Sequence, residues 1–154
     1  MSTLSHLKPS SLWQLFEKIC SIPHPSKHEQ QISLWIQSWA KDLGLSVKED
    51  DIGNLAIKKP ATQGMEDRKG IILQAHMDMV PQKNNDTNHD FLTDPIRPYI
   101  IDSNDWVTAE GTTLGADNGV GLASALAVLA SDDVPHGPLE VLVTIDEEAG
   151  MSGA

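Results

Sequence analysis

The chain has 154 residues, enough for one ordinary domain with a core of its own. Its 11 Lys and Arg against 22 Asp and Glu give a formal charge of −11, which excludes phosphate-backbone binding as a main role, since that needs clustered cations. Apolar content of 40% suits a soluble globular protein, and a single cysteine, Cys20, rules out an intrachain disulfide and fits a reducing, cytoplasmic setting.

In chain order, residues 1–11 lack the basic start and apolar run of a signal peptide. Ser10 or Ser11 is placed to cap a helix with Leu12, Leu15, Phe16 and Ile19 on one face, stopped by Pro23 and Pro25. Ser26 and Glu29 have the Ser-x-x-Glu spacing of a capping box. The helix behind them carries Ile32, Ile36, Trp39 and Leu43, with Gly44 just past its end. Two short strands are expected near 45–48 and 55–58, with Gly53 and Asn54 in the turn. Residues 60–69 read as a loop. Residues 71–75 read as a buried strand, and 81–98 as an extended surface loop. A turn at 103–105 precedes a strand at 106–108, and residues 119–130 form a helix of small side chains. The apolar stretch 120–130 is too short to cross a bilayer, which takes roughly 20 residues. Residues 139–145 are the clearest strand. Strands alternating with helices predict an α/β fold: a mixed, largely parallel sheet flanked by helices.

Three chemistry-bearing clusters each adjoin an apolar element: His76-Met77-Asp78, Gly115-Ala116-Asp117-Asn118-Gly119 and Asp146-Glu147-Glu148. In such sheets, ligands bind beyond the carboxyl ends of the strands. His76 and Asp78, two apart, point to the same side of an extended chain. His76 can ligate a metal while Asp78 holds its imidazole in one tautomer. The plainer reading is a polar strand end. Asp117 lies between glycines at a helix start, where it can bridge two cations through its two oxygens. Capping by Asp117 or Asn118 is the competing reading. Three adjacent carboxylates after a buried strand repel one another unless cations neutralise them, although a solvated acidic turn would look the same. One can be a ligand while its neighbour is a general base. It is the joint occurrence of His, Asp and Glu, each beside a hydrophobic element, that favours a metal-dependent hydrolase.

The remaining features read as structural. His24, His28, His89 and His136 are expected at the surface. Cys20 is expected in the core, and Trp13, Trp35, Trp39 and Trp106 in packing. No Gly-x-Ser-x-Gly elbow and no phosphate-loop Gly-Lys-Ser/Thr is present.

At residues 21–26 (Ser-Ile-Pro-His-Pro-Ser), 74–83 (Gln-Ala-His-Met-Asp-Met-Val-Pro-Gln-Lys), 111–119 (Gly-Thr-Thr-Leu-Gly-Ala-Asp-Asn-Gly) and 146–150 (Asp-Glu-Glu-Ala-Gly) the chain resembles the M20 metallopeptidases, and within them the dipeptidases that cleave Xaa-His. The resemblance runs from about Leu12 onward. It implies a zinc-peptidase-like catalytic domain, of which residues 1–154 match the N-terminal part. It also implies two zinc ions, with manganese or cobalt as substitutes. His76 would bind one ion, Asp117 would bridge both and Glu148 would bind the other. Glu147 would be the general base, and Asp78 would orient His76. The family's further aspartate and histidine ligands and its lid domain have no counterpart in these residues. The implied partner is a small dipeptide, with no nucleic acid and no membrane, and the implied assembly of a full-length parent is a homodimer. A deacylase of N-acyl amino acids would use the same metal chemistry. A non-catalytic truncated fragment is the reading from another class, and by itself this chain is expected to be inactive.

Overall fold

The computed structural model describes residue 4 and residues 6–101 and 106–153. The turn expected at 103–105 lies outside the described residues. Helix α1 (Ser10–Cys20) buries Phe16, Ile19 and Cys20, the stripe expected from the spacing of its apolar residues. Its N-cap is Pro9 rather than Ser10 or Ser11, and no side chain caps it. Pro9 is extended and its carbonyl takes the N–H of Trp13, so the helix opens one residue early. Helix α2 (Gln30–Asp42) buries Ile32, Ile36 and Ala40. It closes as a Schellman motif. Gly44, at φ 72°, donates to the Lys41 carbonyl, and Leu45 donates to the Ala40 carbonyl at 3.0 Å.

Strands β1 (Ser46–Glu49), β2 (Leu55–Lys59), β3 (Ile71–His76) and β6 (Leu139–Thr144) form one sheet in the order β1-β2-β6-β3. Strands β4 (Pro98–Ile101) and β5 (Trp106–Ala109) form a separate antiparallel pair. The sequence reading placed β5 but ended its surface loop at 98 and assigned no strand to the β4 residues beyond it. The main sheet is mixed, as expected, but not largely parallel. Only β3 and β6 run parallel, while β1–β2 and β2–β6 are antiparallel. The short turn between β1 and β2, anchored on Asp50, forces that reversal, since parallel neighbours need a long crossover.

Leu55 and Ile57 of β2, Val141 and Val143 of β6, and Leu73 and Ala75 of β3 share one face through their register. That face forms one core with the buried residues of α1, α2 and helix α3 (Ala116–Ala130). Helix α3 packs on α1 and β3. Gly119 lets it approach, because a Cβ there would lie 3.0 Å from the Phe16 ring. Phe16 also meets Trp13 edge-on at 6.0 Å. Phe16→Ala is therefore expected to destabilise the fold by about 3–5 kcal/mol, read as a lower urea midpoint.

Three packing expectations are corrected. Strand β3 is an edge strand, so Ile72, on the face away from the core, is 64% exposed rather than buried. Trp106, near the end of the β4–β5 pair, is 68% exposed and does not serve packing. His24 is buried, its Nδ1 at the Ile22 carbonyl and its own carbonyl taken by the Met79 N–H. Burial holds the His24 imidazole below its usual pKa, against the Ile22 carbonyl and the Asp78 charge. Cys20 is in the core, and burial, then the Glu17 charge, push its thiol up to about 12. No helix among the described residues is long and apolar enough to cross a membrane.

Candidate metal centre

The parallel pairing of β3 and β6 builds the site. Their register ends with His76 opposite Thr144, so both strands deliver their next residues to the same sheet edge. Met77 continues the ladder by donating to the Thr144 carbonyl at 2.8 Å. Beyond it, Asp78 emerges beside the turn that carries Glu147 and Glu148.

Asp117 reaches that edge from the start of α3. The 79–83 segment is held against 111–113. Thr113 N–H donates to the Gln82 carbonyl at 2.8 Å, and its hydroxyl donates to the Val80 carbonyl at 2.6 Å. Gly115, at φ 73°, lies against Met79, where a Cβ would come within 3.0 Å of the sulfur. Asp117 (φ −89°, ψ 109°) and Asn118 (φ −111°, ψ 29°) are non-helical, so regular helix runs only from Gly119, as the sequence reading placed it, with both residues at its entrance.

The imidazole of His76 is buried between carboxylates. Nδ1 lies 3.0 Å from the Asp78 carbonyl oxygen and 3.2 Å from its Oδ1. Nε2 lies 3.0 Å from Asp117 Oδ1 and 3.7 Å from Glu147 Oε2. Both ring nitrogens thus face oxygen acceptors. A neutral imidazole has one N–H, and donating it at Nδ1 leaves the Nε2 lone pair aimed at a carboxylate. A cation between Nε2 and Asp117 resolves that conflict. His76, Asp117 and Glu148 each offer a donor atom within 4.8 Å of the others, and one imidazole with carboxylates suits zinc, manganese or cobalt. The Asp117 side chain is 83% exposed, so the donors lie open to an incoming ligand. Desolvation and then the Asp117 charge raise the Glu148 carboxyl above its usual pKa, His76 opposes them, and Glu147 and Asp78 add smaller upward pushes.

Asp78 is fully buried and committed to neighbours on every side. Its Oδ1 accepts the Glu147 N–H at 3.0 Å. Its Oδ2 accepts the Glu148 N–H at 3.2 Å and the Ser26 hydroxyl at 2.7 Å. One carboxylate therefore touches His76 and also caps the short helix α4 (Glu147–Gly150).

The five residues singled out from sequence, His76, Asp78, Asp117, Glu147 and Glu148, all meet at this edge. Ser26 and Glu29 do not form a capping box. Pro25 bridges Met79, Ser26 and Lys27 form a turn in which the His28 N–H donates to the Pro25 carbonyl and Lys27 takes a left-handed φ of 71°, and α2 begins only at Gln30 with no side-chain cap. Ser26 instead binds Asp78, and Glu29 binds the Asp146 N–H at 3.0 Å. Asp146 is no solvated turn residue either. It is buried, and its carboxylate lies within 4.8 Å of those of Glu29 and Asp78. The signal available for Ser26 and Glu29 was the pair of prolines just before them, which favours extended chain over a helix start.

Residues 72–154 match Peptidase family M20/M25/M40. The whole chain is 65% identical over 154 residues to the cytosol non-specific dipeptidase of Escherichia coli (strain K12), of which it spans 31%. Among solved structures, the aminoacylhistidine dipeptidase of Vibrio alginolyticus superposes with a TM-score of 0.95 at 65% identity, covering 97% of this chain and 30% of that one. A tripeptidase of Staphylococcus aureus superposes with a TM-score of 0.73 at 27% identity, covering 92% and 37%. The family match spans more than half of the chain and takes in His76, Asp78, Asp117, Glu147 and Glu148: the chain belongs to peptidase family M20/M25/M40.

Proposed function

We propose that these residues form the N-terminal part of the catalytic domain of a cytoplasmic metallo-dipeptidase acting on Xaa-His substrates. The observation that carries the reading is the convergence of His76, Asp117 and Glu148 within 4.8 Å, backed by the Asp78 carboxylate. The names of the E. coli and Vibrio relatives support the dipeptide substrate, and the E. coli name supports the cytosol.

In this reading His76, Asp117 and Glu148 would hold the divalent ions, zinc by preference, with Asp117 the ligand the two would share. Bound zinc supplies a Lewis acid for the scissile carbonyl and lowers the pKa of a water to about 7. Glu147 takes the proton of the attacking water and returns it to the leaving amine. Asp78 keeps the His76 proton on Nδ1, so that Nε2 presents its lone pair. Its hold on the Glu147 and Glu148 N–H groups fixes both side chains at the mouth of the sheet.

The test uses an extended enzyme, in which these 154 residues replace the matched segment of the E. coli relative. It is expected to hydrolyse Xaa-His dipeptides, to stop when a chelator strips its metal, and to recover with added zinc. Faster turnover of N-acyl amino acids than of dipeptides would replace the reading with a deacylase of the same family.

A further inference from the structure

We propose that Glu29 is a positioning residue, holding the turn that carries Glu147 and Glu148 through the backbone N–H of Asp146. The inference rests on the metallopeptidase reading above and assigns a role to a residue outside the family match, which begins at residue 72.

Four successive backbone N–H groups at the end of β6 are each taken by a side-chain oxygen from a distant segment. Ile145 donates to Asn54 Oδ1 at 3.1 Å, and Asp146 donates to Glu29 Oε1 at 3.0 Å. Glu147 and Glu148 donate to the two oxygens of Asp78. The turn is therefore held less by its own sequence than by three side chains that come from before α2, from the β1–β2 turn and from the end of β3.

Glu29 has the most demanding position of the three. Asp146 sits at φ 49° and ψ 37°, a left-handed conformation uncommon outside glycine that Asp adopts more readily than most residues. Lys27 is also left-handed, at φ 71°. The same oxygen, Glu29 Oε1, accepts the N–H of both, from Lys27 at 2.9 Å. One carboxylate oxygen thus ties two left-handed backbone positions, Lys27 and Asp146, together from opposite ends of the chain. The Asp146 side chain is held on one oxygen only: Oδ2 accepts the Ser152 hydroxyl at 2.7 Å, while buried Oδ1 has no hydrogen-bond partner. Glu29 is 7% exposed and acts through the turn, not on a substrate.

Removing that oxygen leaves two N–H groups without their acceptor and frees the Asp146 turn to shift. Glu147 and Glu148 move with it. A displacement of about 1 Å at reacting groups costs up to ~10²-fold in rate.

The experiment compares Glu29→Ala, Glu29→Gln and Glu29→Asp in the extended enzyme, by kcat, KM and bound zinc, with Glu147→Gln alongside. Glu29→Ala is expected to lower kcat by about 10- to 10²-fold with KM little changed. Glu29→Gln keeps an oxygen at the same reach and is expected to restore most of kcat. Glu29→Asp keeps the charge but withdraws the oxygen, and is expected to resemble the alanine variant. Should Glu29→Ala fail to fold, the Gln and Asp pair decides: near-parental Gln with impaired Asp supports the role, and the reverse order overturns it. Parental kcat in Glu29→Ala also overturns it. Metal-independent turnover of the parent sinks the metallopeptidase reading whatever Glu29 does, whereas retained turnover in Glu147→Gln only moves the base elsewhere.

Discussion

Replacing Glu147 with glutamine is expected to leave the extended enzyme folded and metal-loaded but nearly inactive. Glutamine matches glutamate in size, and the backbone N–H of residue 147 would still donate to Asp78 Oδ1, so the side chain keeps its place. What it loses is the capacity to accept a proton. Glu147 Oε2 is 3.7 Å from His76 Nε2, beside the donor cluster but not a member of it. Loss of a general base costs about 10²–10⁴-fold in rate, so kcat should fall by that much while zinc content holds. Glu148→Gln makes the contrast. Glu148 belongs to the donor cluster with His76 and Asp117, so its loss should appear first as reduced metal occupancy. Measured zinc per chain and kcat for the two variants separate the roles. Near-normal turnover in Glu147→Gln would move the base elsewhere.

These two neighbours were legible in the sequence because β6 announces itself. Leu139, Val141 and Val143 alternate with less buried residues and point to the core, and the acidic run starts where that pattern stops. His76 was legible for the same reason at the end of β3. Asp117 was legible only jointly, since a helix start between glycines has an equally good local explanation. What escaped was everything decided across long separations. Ser26 and Glu29 carry the local signature of a cap, but their partners are 52 and 117 residues away, and those contacts win over the cap. The burial of His24 follows from pairing with Met79, which no periodicity near residue 24 announces. Strand direction escaped as well. A short turn and a long crossover both yield alternating apolar runs, and only the assembled register shows that, among the strands of the main sheet, β3 and β6 are the parallel pair. The exposure of Ile72 is the same lesson: a run of Ile71, Ile72 and Leu73 looks buried until its place at the sheet edge is known.

That edge enters the second large effect. Residues 1–154, produced by themselves, are expected to show no measurable hydrolysis of an Xaa-His dipeptide, even with added zinc or manganese. A catalytic zinc takes three protein ligands and leaves a position for water. The donor cluster offers His76, Asp117 and Glu148, and sharing Asp117 gives each of two ions only two of them. The ions are then held weakly, and the carboxylates remain mutually repelling, as the upward push on Glu148 from Asp117 indicates. The sheet adds a physical liability. The strand without cover is β3, not β6 as the apolar run at 139–145 suggests: β6 is flanked by β2 and β3, while β3 is an edge strand with Ile71 and Ile72 exposed. Exposed apolar edges pair with other copies, so low solubility should accompany weak metal binding. Joining the chain to the remaining sequence of the E. coli relative is expected to restore solubility, metal retention and turnover together. Purified 154-residue chain, free of host peptidase, that cleaves the dipeptide at a rate near that of the extended enzyme would show that these three donors suffice.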